Sequence, residues 1–201
     1  MPRNRLALGF AGGFILLTIV VALNWTAGLD RACVTLVAAL RMRPFNGLAL
    51  SVTSLGSNSL ITLSSLLAIW YALAAGHRDF VGPLVAAPLA SFLSSELAKF
   101  LVHHPRPTAA LIAIPESFGY PSGHAAVASA TWLTFALLAL RSESRPAVRR
   151  VLLGAGVAVA LLVGWSRIYL GVHYLSDVIG GLLLGSAWAV ALARTTPQLR
   201  A

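Results

Sequence analysis

The chain has 201 residues, of which 58% are hydrophobic and only 10% charged, and 15 Lys and Arg against 6 Asp and Glu give a net charge of +9. Soluble domains carry about 25% charged residues, so this composition indicates a helical membrane protein, although length alone permits one or two soluble domains. The basic residues are scattered among short connections with no continuous basic face, which excludes nucleic-acid binding. The single cysteine, Cys33, excludes an intrachain disulfide and a cysteine-rich metal site.

The first apolar run, residues 6–29, contains no charged side chain and exceeds the roughly 20 residues needed to cross a bilayer. No small-residue cleavage site ends it before Asp30, so it reads as a retained span that also directs insertion, not as a signal peptide. The stretch from Asp30 to Phe45 is amphipathic in places, with Arg31, Cys33, Val34, Leu36, Val37 and Leu40. It fits a short interfacial helix beside a pocket and an ordinary connector equally well.

Counting the first run as residues 6–28, further apolar segments cover residues 50–75, 80–101, 123–140, 150–166 and 173–193. Backbone polar groups in lipid need partners within their own segment, so these are helices. Only His77, Arg78 and Asp79 separate the second from the third, which predicts a tight helical hairpin. Pro83 and Pro88 then kink the third helix or mark a late start. Asn58 and the serines around it sit on the second span, where they can pack against the spans that carry the polar segments; the sequence assigns them no role. Gly9–Gly13 and Gly180–Gly185 permit close helix packing. The expected fold is all-α: a six-transmembrane-helix bundle forming a single integral membrane domain over residues 1–201.

An even number of spans places both termini on one side. That side carries Arg3, Arg5, Arg78, Arg141, Arg145, Arg149, Arg150, Arg194 and Arg200, nine of the 15 basic residues. The other side carries Arg31, Arg41, Arg43, Lys99, Arg106 and Arg167, and three of these six belong to polar clusters considered next. The bias predicts cytoplasmic termini.

Three polar clusters interrupt the apolar chain: Lys99–Pro107 (KFLVHHPRP), Pro121–His124 (PSGH) and Ser166–Asp177 (SRIYLGVHYLSD). The six-span layout brings all of them out on the non-cytoplasmic face. His173 and Asp177 are four apart, hence on one face of a helix. Asp177 can accept a hydrogen bond from one imidazole nitrogen and leave the other free to attack. A purely structural His–Asp pair has the same spacing, but an ionisable residue at the membrane needs a partner and points to function. Ser122 and Gly123 stand where a helix begins, and the free backbone N–H groups there suit a phosphate. His124 beside them can protonate a leaving alkoxide; a helix cap followed by a packed histidine would look the same. Lys99, Arg106 and Arg167 supply positive charge, Arg as a two-pronged grip on oxygens and Lys as a mobile point charge. Such a set matches a transferring phosphoryl group, whose charge spreads over its oxygens.

With six residues between Lys99 and Arg106-Pro107, an intact Pro121-Ser122-Gly123-His124, and Ser166-Arg167 followed by His173 and Asp177, the sequence resembles the type 2 phosphatidic acid phosphatase (PAP2) superfamily, which also includes vanadium-dependent haloperoxidases. The motif-bearing core is residues 99–177. The resemblance implies that His173 attacks phosphorus and forms a phosphohistidine, with Asp177 orienting it. It implies that His124 protonates the leaving oxygen and then activates water. Lys99, Arg106, Ser122, Gly123 and Arg167 would hold the phosphate oxygens. No metal or other cofactor is implied. The family acts on phosphatidic acid, phosphatidylglycerol phosphate and undecaprenyl diphosphate, and the compact Arg- and Ala-rich chain suggests a prokaryotic inner membrane, with the site facing outward.

Rival readings are a lipid phosphotransferase using the same phosphohistidine and a non-enzymatic transporter or lipid-binding membrane protein. Haloperoxidase chemistry fits poorly because it would not explain six spans. His103 and His104 occupy variable positions of the first motif and are expected at the pocket edge or in interfacial polar contacts. Glu116 is expected to face solvent, a headgroup or a motif arginine. Tyr169 and Tyr174 are expected to anchor a helix end at the interface.

Overall fold

A computed structural model describes residues 5–143 and 145–193. The described chain is all-helical: α1 (Arg5–Ala22), α2 (Ala27–Ala39), α3 (Arg43–Ser54), α4 (Asn58–Ala74), α5 (Val81–Val102), α6 (Gly123–Ser142), α7 (Pro146–Tyr169) and α8 (Leu175–Ala193). Among the described residues, five helices are long and apolar enough to cross a membrane, or six if the bent pair α3–α4 forms one span.

Two expected spans are divided. The first was expected to run unbroken to residue 28, yet α1 ends at Ala22. Asn24 there adopts a left-handed conformation (φ 60°), which Asn tolerates better than most residues carrying a side chain. Its N–H donates to the Val21 carbonyl at 2.8 Å and that of Trp25 to Val20 at 3.1 Å, so the last turn of α1 closes on itself. The chain then re-enters helix as α2, so much of this stretch is a short helix. The expected second span, 50–75, is broken at residues 55–57, where α3 and α4 meet at 50°. Ser57 restarts the helix as an N-cap, its hydroxyl accepting from the Leu60 N–H at 3.4 Å.

The hairpin at His77–Asp79 is a single 3-10 turn, Arg78–Phe80, after which α5 begins. Pro83 falls in its first turn, where no intrahelical N–H is required; Pro88 lies inside the helix.

α6 and α8 form the middle of the bundle, with α1, α5 and α7 packed around them. Small residues allow the central pair to approach closely. A Cβ on Gly185 would lie 2.1 Å from the Ala126 carbonyl oxygen and 2.7 Å from the Ser129 side chain. The glycine run in α8 is therefore a helix contact, whereas Gly9 in α1 faces open space. Polar groups on the helices pair with each other: Ser129 with Ser186 at 3.0 Å, and the Trp188 indole N–H with Ser94 Oγ at 3.1 Å. Large apolar side chains such as Leu8, Leu16, Trp70, Phe100 and Leu101 are exposed on the outside, as a lipid-facing surface requires.

The C-terminal ends of α5 and α7 and the N-terminal ends of α6 and α8 gather at one end of the bundle, bringing the three polar clusters together. Arg5, Arg78, Arg141, Arg145, Arg149 and Arg150 lie at the opposite helix ends. Arg3, Arg194 and Arg200, also counted in the charge bias, lie outside the described residues.

Candidate active site

The site is built around the start of α8. Asp30 of α2, almost fully buried, accepts from the Ser176 N–H at 3.0 Å and from the Ser176 hydroxyl at 2.7 Å. A carboxylate at a helix N-terminus is favourable, and this one fixes the turn that carries Asp177. Immediately upstream, the chain leaves α7 through Gly171, whose φ of 73° few other residues adopt. That tight turn points His173 back toward α8.

His173 Nδ1 lies 3.3 Å from Asp177 Oδ2, which also accepts from the Tyr174 N–H at 2.9 Å. On its other side, His173 Nε2 is 2.9 Å from Arg106 Nη1. Guanidinium can only donate, so Nε2 holds the lone pair and Nδ1 the proton given to Asp177. Burial pushes the His173 imidazole down to about 4; Asp177 opposes that shift, while the charges of Arg106 and Arg167 reinforce it. At neutral pH the ring is therefore uncharged, with a nucleophilic lone pair on Nε2.

Arg106 is held as a rigid fork. Its Nε donates to the Ser117 carbonyl at 2.7 Å, Nη1 to the Val172 carbonyl at 2.9 Å, and Nη2 to Ser117 Oγ and the Phe118 carbonyl, both at 3.1 Å. Burial lowers its pKa, with Asp177 and Glu96 opposing. Arg167 is only 4% exposed and donates from Nη1 to Thr53 Oγ1 at 2.9 Å. Among the described residues its Nε has no partner, and neither does the buried hydroxyl of Ser122. The Ser122 N–H donates to the Asp177 carbonyl at 2.9 Å, joining the start of α6 to α8. Lys99 pairs with Glu96 one turn earlier at 2.5 Å. A Cβ on Gly123 would lie 3.4 Å from Lys99 Nζ, so the ammonium sits against the first residue of α6. His124 follows on the same turn.

Lys99, Arg106, Ser122, Gly123, His124, Arg167, His173 and Asp177 are thus all at one end of the bundle. The arrangement offers a neutral histidine with a lone pair, a second imidazole, three cations and two unpartnered buried donors, which suits attack on a phosphoryl group. Among the described residues no group of three or more His, Cys, Asp or Glu is arranged to hold a metal ion.

Several placements differ from the sequence reading. His104 is not at the pocket edge: it is buried, and its Nδ1 lies 2.9 Å from Asp177 Oδ1. His103, by contrast, is an exposed helix cap with its ring edge-on to Phe118 at 4.4 Å. Tyr169 is buried, its hydroxyl accepting from the Met42 N–H at 3.0 Å and lying 2.9 Å from Asn46 Oδ1, so it ties α7 to α3. Glu116 is exposed. Thr53, Glu96 and Asp30 were not singled out; Glu96 is legible as an i,i+3 partner of Lys99, and Asp30 as the first charge after a long apolar run. Asn58 lines a cleft of about 400 Å³ between α4 and α5, with Thr62, Leu89 and Phe92.

The model of the PAP2 superfamily matches residues 80–201. Phosphatidylglycerophosphatase B of Bacillus subtilis is 28% identical over 178 residues, 86% of this chain and 85% of that protein. An undecaprenyl-diphosphatase of Sulfolobus acidocaldarius is 35% identical over 108 residues, 54% of this chain and 47% of that protein. The crystal structure of a transmembrane PAP2-type phosphatidylglycerolphosphate phosphatase from Bacillus subtilis superimposes with a TM-score of 0.82 over all of both chains, at 22% identity. That of Aquifex aeolicus LpxE gives 0.60 over 83% of this chain and 95% of the other, at 21% identity.

Proposed function

The chain belongs to the PAP2 superfamily, and on that premise we propose that it removes phosphate from membrane lipid phosphates or isoprenyl diphosphates through a phosphohistidine at His173. Its hydrolytic chemistry runs through a His–Asp pair and cationic side chains. The observation that carries the reading is the placement of His173, its Nδ1 on Asp177 and its Nε2 beside Arg106.

In the first step Nε2 attacks phosphorus as the bond from phosphorus to the lipid oxygen breaks. Arg106 stays protonated and turns its Nη1–H from Nε2 to a phosphate oxygen as a hydrogen bond, and Arg167 Nε and the Ser122 hydroxyl supply further donors. Lys99 exchanges Glu96 for the phosphate. The arriving phosphate anion favours the imidazolium form of His124, which gives a proton to the departing oxygen and becomes neutral, while Asp177 supports the positive charge that develops on His173. In the second step His124 takes a proton from water, the water oxygen attacks phosphorus, the P–N bond breaks and inorganic phosphate leaves. For a diphosphate, the departing group is the lipid monophosphate.

The cleft between α4 and α5 reaches Phe92, one turn below Glu96, so an apolar tail can stay in lipid while its phosphate enters the site. The basic helix ends opposite the site favour cytoplasmic termini and an outward-facing pocket in a prokaryotic inner membrane. The curated relatives named for phosphatidylglycerophosphate and undecaprenyl diphosphate support this substrate range. The test is a panel of phosphatidic acid, phosphatidylglycerol phosphate and undecaprenyl diphosphate, assayed in parallel with purified protein. Release of phosphate from at least one, lost in His173→Ala, is expected; lipid binding with no release from any of them contradicts the proposal.

A further inference from the structure

His104 has no task in the two steps above, yet it makes the shortest side-chain contact to Asp177. His103 ends α5 in a left-handed conformation (φ 52°), its N–H bonded to the Lys99 carbonyl at 3.1 Å. This turn directs the next residue inward. The His104 carbonyl accepts from the Gly119 N–H at 2.8 Å, which fastens the backbone from the other side. The ring neighbours Tyr120, 6.5 Å away and nearly perpendicular, and Tyr174 at 5.5 Å. Tyr120 is fully buried. The imidazole is thus fixed at its backbone and has two aromatic rings as neighbours.

A carboxylate only accepts, so Nδ1 of His104 carries a proton and donates it to Oδ1 at 2.9 Å. The two carboxylate oxygens then have separate partners. Oδ2 takes the Tyr174 N–H at 2.9 Å and His173 Nδ1 at 3.3 Å, while Oδ1 takes His104. Without His104, Oδ1 would lose this donor in a site where Asp177 is fully buried, and a buried acceptor stripped of its partner seeks another. The carboxylate is then free to rotate away from the long contact to His173.

We propose that His104 is a positioning residue that acts through Asp177, holding the carboxylate plane so that Oδ2 stays on the Nδ1 proton of the nucleophilic His173. This inference rests on the phosphohistidine reading of the site. His104 touches neither phosphorus nor its oxygens, so its loss slows formation of the phosphoenzyme and leaves substrate affinity nearly unchanged.

The test uses the full chain in detergent with phosphatidic acid as the probe and compares wild type, His104→Leu, His104→Asn, His104→Gln and His173→Ala. The Asn side-chain nitrogen falls where Nδ1 stood; that of Gln falls where Nε2 stood. In His104→Leu, kcat is expected to drop at least about tenfold while KM stays within about threefold. His104→Asn recovers most of the loss, and His104→Gln does not. A kcat for His104→Leu within about twofold of wild type overturns the proposal. So does equal activity of the Asn and Gln variants, a comparison that decides the matter even if the Leu variant fails to fold. Full turnover in the His104 variants beside an inactive His173→Ala removes this inference alone; a wild type that releases no phosphate from any lipid of the panel removes the reading beneath it.

Discussion

Replacing Arg167 with Met should separate activity from stability. Arg167 is 4% exposed, makes one hydrogen bond from Nη1 to Thr53, and bears the like charge of Arg106 nearby. Its Nε has no partner among the described residues. In the proposed reaction Nε reaches one phosphate oxygen, and the two-pronged grip of a guanidinium puts a second N–H on another. Hydrogen bonds to charged groups contribute about 1.5–3 kcal/mol each, so losing two costs about 3–6 kcal/mol of transition-state stabilisation. At about 1.4 kcal/mol per tenfold, kcat/KM falls by roughly two to four orders of magnitude. The fold, meanwhile, loses a buried charge and gains an apolar side chain of similar length, a change that is often neutral or stabilising. Steady-state phosphate release should therefore collapse while the thermal unfolding midpoint in detergent holds or rises. A kcat/KM within about tenfold of wild type, or a loss that tracks a lowered unfolding midpoint, refutes this reasoning.

His124→Ala should slow turnover by roughly 10²–10⁴-fold on a lipid monophosphate, whose alkoxide leaves poorly without a proton. The loss should be smaller on an isoprenyl diphosphate, and equal losses on both would count against proton donation. Because burial holds His173 at about 4 against an ordinary 6.5, the acid limb of kcat/KM should fall near pH 4. The unfolded chain binds that proton between the two values and the folded chain does not, so stability should also decline as pH falls from 6.5 toward 4. An acid limb centred at the ordinary histidine value would contradict the assignment. Gly185→Ala, whose Cβ would stand 2.1 Å from the Ala126 carbonyl oxygen, should separate α6 from α8. An expected cost of about 1–3 kcal/mol should appear as a lowered thermal midpoint in detergent; an unchanged midpoint would show that the helices move apart freely.

The motif residues were legible because spacing carries their geometry. Four residues from His173 to Asp177 span one helical turn, and the order of apolar runs brings α5, α6, α7 and α8 to the same end of the bundle. A bundle of five or six long apolar helices was legible from length and apolarity, but the breaks were not. Asn24 and Ser57 interrupt apolar runs without changing their composition, and what stops each helix is a local backbone conformation and a cap. His104 was misplaced for a similar reason. Adjacent His103 and His104 look equivalent in sequence, and only the left-handed turn at His103 turns one ring outward and its neighbour toward Asp177. The pairing of Asp30 with Ser176 spans most of the chain and leaves no periodic trace; only the isolated charge after the first apolar run hints at it.

The central claim is a covalent bond from phosphorus to His173 Nε2. The direct measurement is to mix the purified protein with a lipid phosphate radiolabelled at phosphorus, quench in alkali, where phosphohistidine survives, and map the labelled peptide. Label on His173 that appears before free phosphate and is absent from His173→Ala is the predicted result. Label on another residue, or phosphate released at full rate by His173→Ala, would contradict the account.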